Sequence, residues 1–443
     1  MTLQGDNVVL GAGVVGLTTA VVLAEAGLAV RIIAAEIPGV TSMPAGAMWG
    51  PYLVEPKDLV DQWSQYSLET FRGLAADSAT GVRAASGIEA SRSADEAPDW
   101  ATALPGFQPV PRAELPSGFA SGYRFTVPLI DTPTYLRYLE HRLRTAGSAI
   151  EQQKVPTLDD VPQASSIINC TGMGAASLAS DATMRPIRGQ HVVVTNPGLT
   201  DFFSEDTGPS PDLLCIYPHG DTVVLGGTAL DGDGSLEPDE KAAADILARC
   251  TAVEPRLAQS TIVDHRVGLR PTRPRVRVTV DRRTDGTPVI HNYGHGGAGV
   301  TLSWGCAREA RRLLANEQKP PPLAIDRKCK AQLKTCGDFR ERGRDGKAGH
   351  REHRAPSLMT SPTHGRTAPS CVPRPQRYTY PASGAPPSKR EVSSLLRTTE
   401  CRVAPTLPST GSLGAQRGAG WKRCLRLRPG HPTLRGPLLS APE

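Results

Sequence analysis

Three glycines near the start of the chain have a spacing that suits phosphate chemistry. Gly11, Gly13 and Gly16 form G-x-G-x-x-G directly after the apolar run NVVL. The first permits a tight turn, the second lets a pyrophosphate approach the backbone, and the third lets helix and strand pack closely. The helix opening at Val14 and Val15 would aim its positive end at the phosphates. A second strand-like run, AVRIIAAE, ends at Glu36, twenty residues after Gly16. A carboxylate there can accept hydrogen bonds from ribose hydroxyls. The plainer alternative for Glu36 is a surface acid following a buried strand. Up to this point a nicotinamide dinucleotide and a flavin dinucleotide are served equally well.

Further glycine-rich turns lie far along the chain. In PAGAMWGPY (44–52), Ala45, Gly46, Ala47 and Met48 leave room for a planar ring against the backbone. IINCTGMGA (167–175) reads as a strand running into a turn at Thr171 and Gly172. HNYGHGGAGVTLSWG (291–305) packs five glycines and two histidines into fifteen residues. Something approaches its backbone closely around Gly296, Gly297, Gly299, Val300 and Thr301, and the run TLSW suits a helix. His291 and Asn292 read as strand-end and loop residues, and His295 as a structural hydrogen-bonding group. Such widely separated turns suit one long cofactor held along its whole length.

Arg270 in GLRPT is the best candidate for holding a carboxylate, because a guanidinium matches two carboxylate oxygens with two parallel bonds. Arg266, Arg273, Arg275 and Arg277 lie nearby as competitors. In LLCIYPHGDTVVLGGT (213–228), period-two alternation places Cys215 and Tyr217 on one strand face. The body of the chain shows no Ser-His-Asp or metal-ligand constellation, so no catalytic acid, base or metal is expected.

These residues need an α/β scaffold, and the first 316 residues read as one. Strand-length apolar runs alternate with helical stretches such as EKAAADILARCTAVEPRL. The net charge of +6 hides a split. Residues 317–443 carry about 24 Lys/Arg and 9 Asp/Glu, so the remainder is acidic. That last segment also holds about 17 of the 40 prolines. It has too few large apolar residues to offset its ordering entropy. It reads as a disordered basic arm, or as the product of a shifted reading frame. It lacks the aromatic interleaving of a nucleic-acid binder.

The apolar stretch at residues 8–27 is broken by four glycines and Glu25, which argues against a membrane span. No basic segment precedes it, and the final SAPE is no peroxisomal address. Cys170, Cys215, Cys250 and Cys306 are scattered as reduced thiols would be. A cytoplasmic location is expected.

Taken in order over about residues 6–316, these motifs, with RGQ (188–190) and VVLGGT (223–228), resemble the D-amino-acid oxidase family of FAD enzymes. The resemblance implies a doubly wound FAD-binding domain (1–50, 140–190 and 265–316) and a mixed β-sheet substrate domain (51–139 and 191–264). It implies one bound FAD, with Gly11, Gly13, Val14, Val15, Gly16, Glu36, Ala45 to Met48, Thr171, Gly172, Gly296, Gly297, Gly299, Val300 and Thr301 around it. It implies hydride transfer from a D-amino acid to flavin N5, with oxygen as the final acceptor and peroxide released. Arg270 would bind the substrate carboxylate and the Gly297 carbonyl the amino group. The last helix would stabilise negative charge on the reduced flavin. Members are often dimers, so a homodimer is also an expectation.

Cys215 departs from the family, which usually has a tyrosine there as a second carboxylate donor. Tyr217 can partly replace that hydroxyl, or it packs under the sheet. TGPSPD (207–212) offers no counterpart to the family's tyrosine lid. Three readings follow: an oxidase of neutral D-amino acids, a D-aspartate oxidase, and a flavoprotein disabled by Cys215. Against the second, relatives that prefer acidic substrates tend to carry arginine after GGT, where Ala229 stands.

Truncation after Gln318 is expected to leave cofactor binding and thermal stability nearly unchanged, because the removed segment lacks the makings of a core. A large drop in melting temperature would refute that reading.

Overall fold

The computed structural model describes residues 6–51, 54–94, 96–205 and 213–318. Of the proposed disordered arm (317–443), Glu317 and Gln318 are described and Glu317 ends helix Gly299–Glu317, while the rest of it and the segment TGPSPD lie outside the described residues. The α/β architecture expected from the sequence is the observed one.

One half of the molecule is a parallel sheet. Strand Asn7–Leu10 lies between Val30–Ala34 and Ser166–Asn169, with Ala149–Gln152 beyond one neighbour and Pro288–His295 beyond the other. Both faces of this sheet are covered. Val9, Ile32, Ile168 and Ile290 face a helical layer, while Val8, Leu10, Ile33, Ile167 and Val289 face the opposite side with Val161. Burial on two faces is why NVVL and VRIIA are apolar without alternation.

The other half is mostly antiparallel. Arg185–Thr195 pairs with Thr222–Gly226, which pairs with Cys215–His219 and then Phe202–Glu205. Val82–Ser91 and Ser121–Ile130 continue the sheet. Here the sequence alternates. Val192, Val194, Val223 and Leu225 pack under helix Glu240–Val253 through Ala243, Ile246 and Cys250. His191, Cys215 and Tyr217 take the other face.

A single 21-residue strand, Ile262–Arg282, joins the two halves. Its first part, to Thr272, pairs antiparallel with Arg185–Thr195. After a register shift between Thr272 and Arg277, it pairs with Pro288–His295.

Helices Val14–Ala24, Lys57–Leu74, Thr132–Thr145 and Gly299–Glu317 build the helical layer. The Trp304 indole N–H donates to the Tyr135 hydroxyl at 2.8 Å inside it. Gly305 allows the closest approach: its N–H donates to Ser67 Oγ at 3.1 Å, and an added Cβ would overlap the backbone of Trp63. Gly305→Ala should therefore force the helices apart and cost about 1–3 kcal/mol. Thermal unfolding checks this, and an unchanged melting temperature would show that the contact is loose.

Candidate cofactor and substrate site

Two helix N-termini converge on one cleft of about 720 Å³. That volume lies in the upper part of the range for small-molecule sites, roughly 300–1,000 Å³. Helix Val14–Ala24 starts at Gly13 and helix Gly299–Glu317 at Ala298. Neither cap residue makes a side-chain capping bond, and neither first turn holds an acidic residue. The partial positive charge of each helix start is thus left uncompensated by the chain's own carboxylates. Only Ser42 intervenes, its Oγ accepting from the Val14 N–H at 2.9 Å. An elongated group with a diphosphate at one point and a ring that becomes anionic on reduction at another, such as FAD, fits this arrangement.

The glycines are needed for this close packing. Gly11 has φ +103°, and a Cβ there would stand 2.6 Å from the Cys170 carbonyl oxygen. A Cβ on Gly16 would overlap the Gly11 carbonyl. Gly16 itself does not line the cleft and acts by letting strand and helix meet. Gly11, Gly13, Val14 and Val15 line it, as do Ala45, Gly46, Ala47, Met48, Thr171, Gly172, Gly296, Gly297, Gly299, Val300 and Thr301. Glu36 and Lys154 also line it. The strand before Glu36 stops at Ala34.

Some details differ from the sequence reading. His291 and Asn292 are buried within strand Pro288–His295 and are not loop residues. The Thr301 hydroxyl donates to the Gly50 carbonyl at 3.0 Å and accepts from the Gly50 N–H at 3.3 Å. It therefore joins the last helix to the segment that follows Met48. His295 Nε2 is buried without a hydrogen-bond partner among the described residues.

Arg270, Gly297, Cys215 and Tyr217 meet at the opposite end of the cleft from Glu36. Arg270 is half-buried, and its Nη1 donates to the Thr228 carbonyl at 3.0 Å. Its guanidinium lies over Gly189, where a Cβ would clash with it. The absent side chain at position 189 is what lets the cation lie flat on the sheet. Gly297 flanks the arginine, its built Cβ position being 3.6 Å from Arg270 Cδ. Cys215 and Tyr217 share a face, as alternation requires. Burial pushes the Cys215 thiol up to about 12, so it stays protonated. Burial also raises the Tyr217 phenol, whose hydroxyl lies 3.3 Å from Ser204 Oγ.

Sequence reasoning missed His191, Glu89, Ser204 and Ser42, all of which line the cleft. The period-two pattern could have found His191, two residues after Gly189 on the same strand face. Nothing local marks Glu89, which strand pairing alone brings to the site. His191 Nδ1 donates to the Pro44 carbonyl at 2.8 Å. Burial, with Arg270 and Arg266 nearby, lowers its pKa to about 4.

A doubly wound half with a dinucleotide cleft, joined to a sheet that presents an arginine to one end of that cleft, defines a class of cofactor-dependent oxidoreductases. The chain belongs to the FAD dependent oxidoreductase family, whose match spans residues 6–313. It is 47% identical over 309 residues to a D-amino-acid oxidase of Rubrobacter xylanophilus, covering 69% of this chain and 94% of that protein. A Streptomyces coelicolor D-amino-acid oxidase is 43% identical, covering 70% of this chain and 97% of that protein. A Homo sapiens D-aspartate oxidase is 36% identical, with 69% and 94% covered. Among solved structures, glycine oxidase from Geobacillus kaustophilus shares the fold, with a TM-score of 0.60 at 18% identity over 72% of this chain and 97% of that one. Among the described residues, no helix is long and apolar enough to cross a membrane.

His191, His291 and His295 all have pKa values lowered to about 4, chiefly by burial. An unfolded histidine titrates near 6.5. The unfolded state therefore binds more protons between these values. The stability these groups contribute is complete above pH 6.5 and is lost as pH falls towards 4. The expected slope near pH 5 is on the order of 3 kcal/mol per pH unit. Urea unfolding at pH 7 and pH 5 measures it. A flat profile would mean that the imidazoles accept protons in the folded protein.

Proposed function

We propose that this protein oxidises neutral D-amino acids to imino acids, using FAD, with oxygen as the second substrate. The observation that carries this reading is Arg270, laid over Gly189 at the end of a cleft walled by two uncapped helix starts. The 43–47% identity to D-amino-acid oxidases supports it, and the 36% identity to a D-aspartate oxidase gives the acidic-substrate reading less weight.

FAD supplies the two-electron acceptor that takes hydride from the substrate Cα and passes the electrons to oxygen, releasing peroxide. The chain's residues supply placement. Gly13 and Val15 would direct N–H groups and helix charge at the pyrophosphate, while Ser42 holds the Val14 N–H. The start of helix Gly299–Glu317 favours negative charge developing at the ring. Arg270 binds the substrate carboxylate, and the Gly297 carbonyl accepts from the amino group. Tyr217 offers a hydroxyl to the carboxylate in place of the donor that Cys215 cannot supply. With the reacting atoms held about 3–3.5 Å apart, alignment contributes on the order of 7–11 kcal/mol. No side chain is required as a base.

The same reading divides the chain into an FAD domain (1–50, 140–190, 265–316) and a substrate domain (51–139, 191–264). It also includes a cytoplasmic setting and a homodimer. The four described cysteines, all free and buried, are consistent with a reducing compartment.

Denaturing the purified protein should release FAD, and D-alanine without oxygen should bleach the flavin absorbance. Arg270→Ala should weaken D-alanine binding by about 3–5 kcal/mol, because the carboxylate then enters a partly desolvated pocket without its counter-charge. Near-normal kinetics in that variant would overturn the substrate-site assignment.

A further inference from the structure

Beside Arg270 the cleft wall carries a second polar group held in one orientation. His191 follows Gly189 by two residues on strand Arg185–Thr195, so both face the cleft. Its Nδ1 lies 2.8 Å from the Pro44 carbonyl oxygen. A carbonyl oxygen only accepts, so Nδ1 carries the proton and Nε2 keeps its lone pair. Nε2 has no hydrogen-bond partner among the described residues, and unlike His295 Nε2 it is not sealed from solvent. Burial, with the Arg270 and Arg266 charges, lowers the imidazole to about 4, so the lone pair stays available near neutral pH.

Three consecutive residues set the place of this lone pair. A Cβ built on Gly226 stands 3.1 Å from His191 Nε2, and one built on Gly227 stands 3.4 Å from it. The Thr228 carbonyl, next along the chain, accepts from Arg270 Nη1 at 3.0 Å. Imidazole and guanidinium thus lie side by side over Gly226, Gly227 and Thr228. Because positions 226 and 227 carry no side chain, the imidazole tip faces the cleft. Other polar groups of this wall are engaged or weak. The Ser204 and Tyr217 hydroxyls lie 3.3 Å from each other, and the Cys215 thiol is a poor hydrogen-bonding group.

We propose that His191 is a specificity-determining residue whose Nε2 accepts a hydrogen bond from the substrate side chain, so that the site favours D-amino acids with a side-chain hydroxyl over apolar ones of the same shape. This proposal rests on the D-amino-acid oxidase reading, which puts the carboxylate on Arg270 and the amino group at Gly297. With those two groups so held, the side chain is what remains to meet an acceptor beside Arg270. Solvent satisfies an acceptor in an open cleft. An apolar side chain that displaces this solvent leaves the lone pair unpaired, whereas a hydroxyl replaces the lost bond. Arg270 and Arg266, both close enough to act on the imidazole, disfavour a cationic donor, so the selected group is uncharged.

The test uses the full-length holoenzyme and two pairs of substrates matched in shape, D-serine with D-2-aminobutyrate and D-homoserine with D-norvaline. In at least one pair, the ratio of kcat/KM for the hydroxylated over the apolar member should exceed one in the native protein. That ratio should fall by roughly three- to tenfold in His191→Leu, as expected for loss of one neutral hydrogen bond. Calorimetric binding reads the same preference without turnover. It compares 3-hydroxypropanoate with butanoate and 4-hydroxybutanoate with pentanoate, none of which has an α-amino group to oxidise. Should His191→Leu fail to fold, His191→Phe repeats the test with a flat ring that lacks the acceptor. A native preference for the apolar member of every pair, or ratios unmoved by these substitutions, would overturn the role of His191. If none of the four amino acids bleaches the flavin, the oxidase reading itself fails, and the calorimetric pairs still decide the role of His191.

Discussion

Strand Ile262–Arg282 changes partners once along its length, and the geometry of the site depends on where it does so. Up to Thr272 it belongs to the antiparallel sheet, and from Arg277 to the parallel one. Arg270 stands two residues before the first of these points. A residue earlier on the strand would lie deep in the antiparallel half, and a later one would face the parallel half. At position 270 the guanidinium extends over Gly189 into the space both halves share. Thr272 pairs with His295, the residue that opens the glycine loop. One strand therefore fixes the distance between Arg270 and the loop at Gly296 and Gly297.

The electrostatics of the cleft have a simple basis. The starts of helices Val14–Ala24 and Gly299–Glu317, neither with an acidic first turn, both border the cleft. Arg270 adds a full positive charge to the same lining. Three sources of positive potential thus border one passage, which favours an anionic occupant. Burial keeps His191 neutral and Cys215 protonated, so neither adds charge beside Arg270.

Much of this was legible in the sequence wherever a local rule was enough. The spacing of Gly11, Gly13 and Gly16 announced a strand, a turn and a helix. Alternation placed Cys215 and Tyr217 together. What failed depended on contacts between distant segments. His291 and Asn292 look like loop residues beside so many glycines, yet strand Pro288–His295 is paired on both sides and buries them. The partner of the Thr301 hydroxyl, Gly50, is 251 positions away, and no local rule announces it. Glu89 came to the site only through pairing across several strands, which no single stretch of sequence encodes.

The thiol at Cys215, where the family resemblance leads one to expect a phenol, is best understood from its neighbours. A tyrosine there would fill the gap that Gly226 leaves above the sheet and would add a donor beside Arg270. The smaller thiol leaves that volume open towards Ser204 and Tyr217, whose hydroxyls lie 3.3 Å apart. Set against that expectation, the thiol would cost the site one hydroxyl donor and leave more room beside the two remaining hydroxyls.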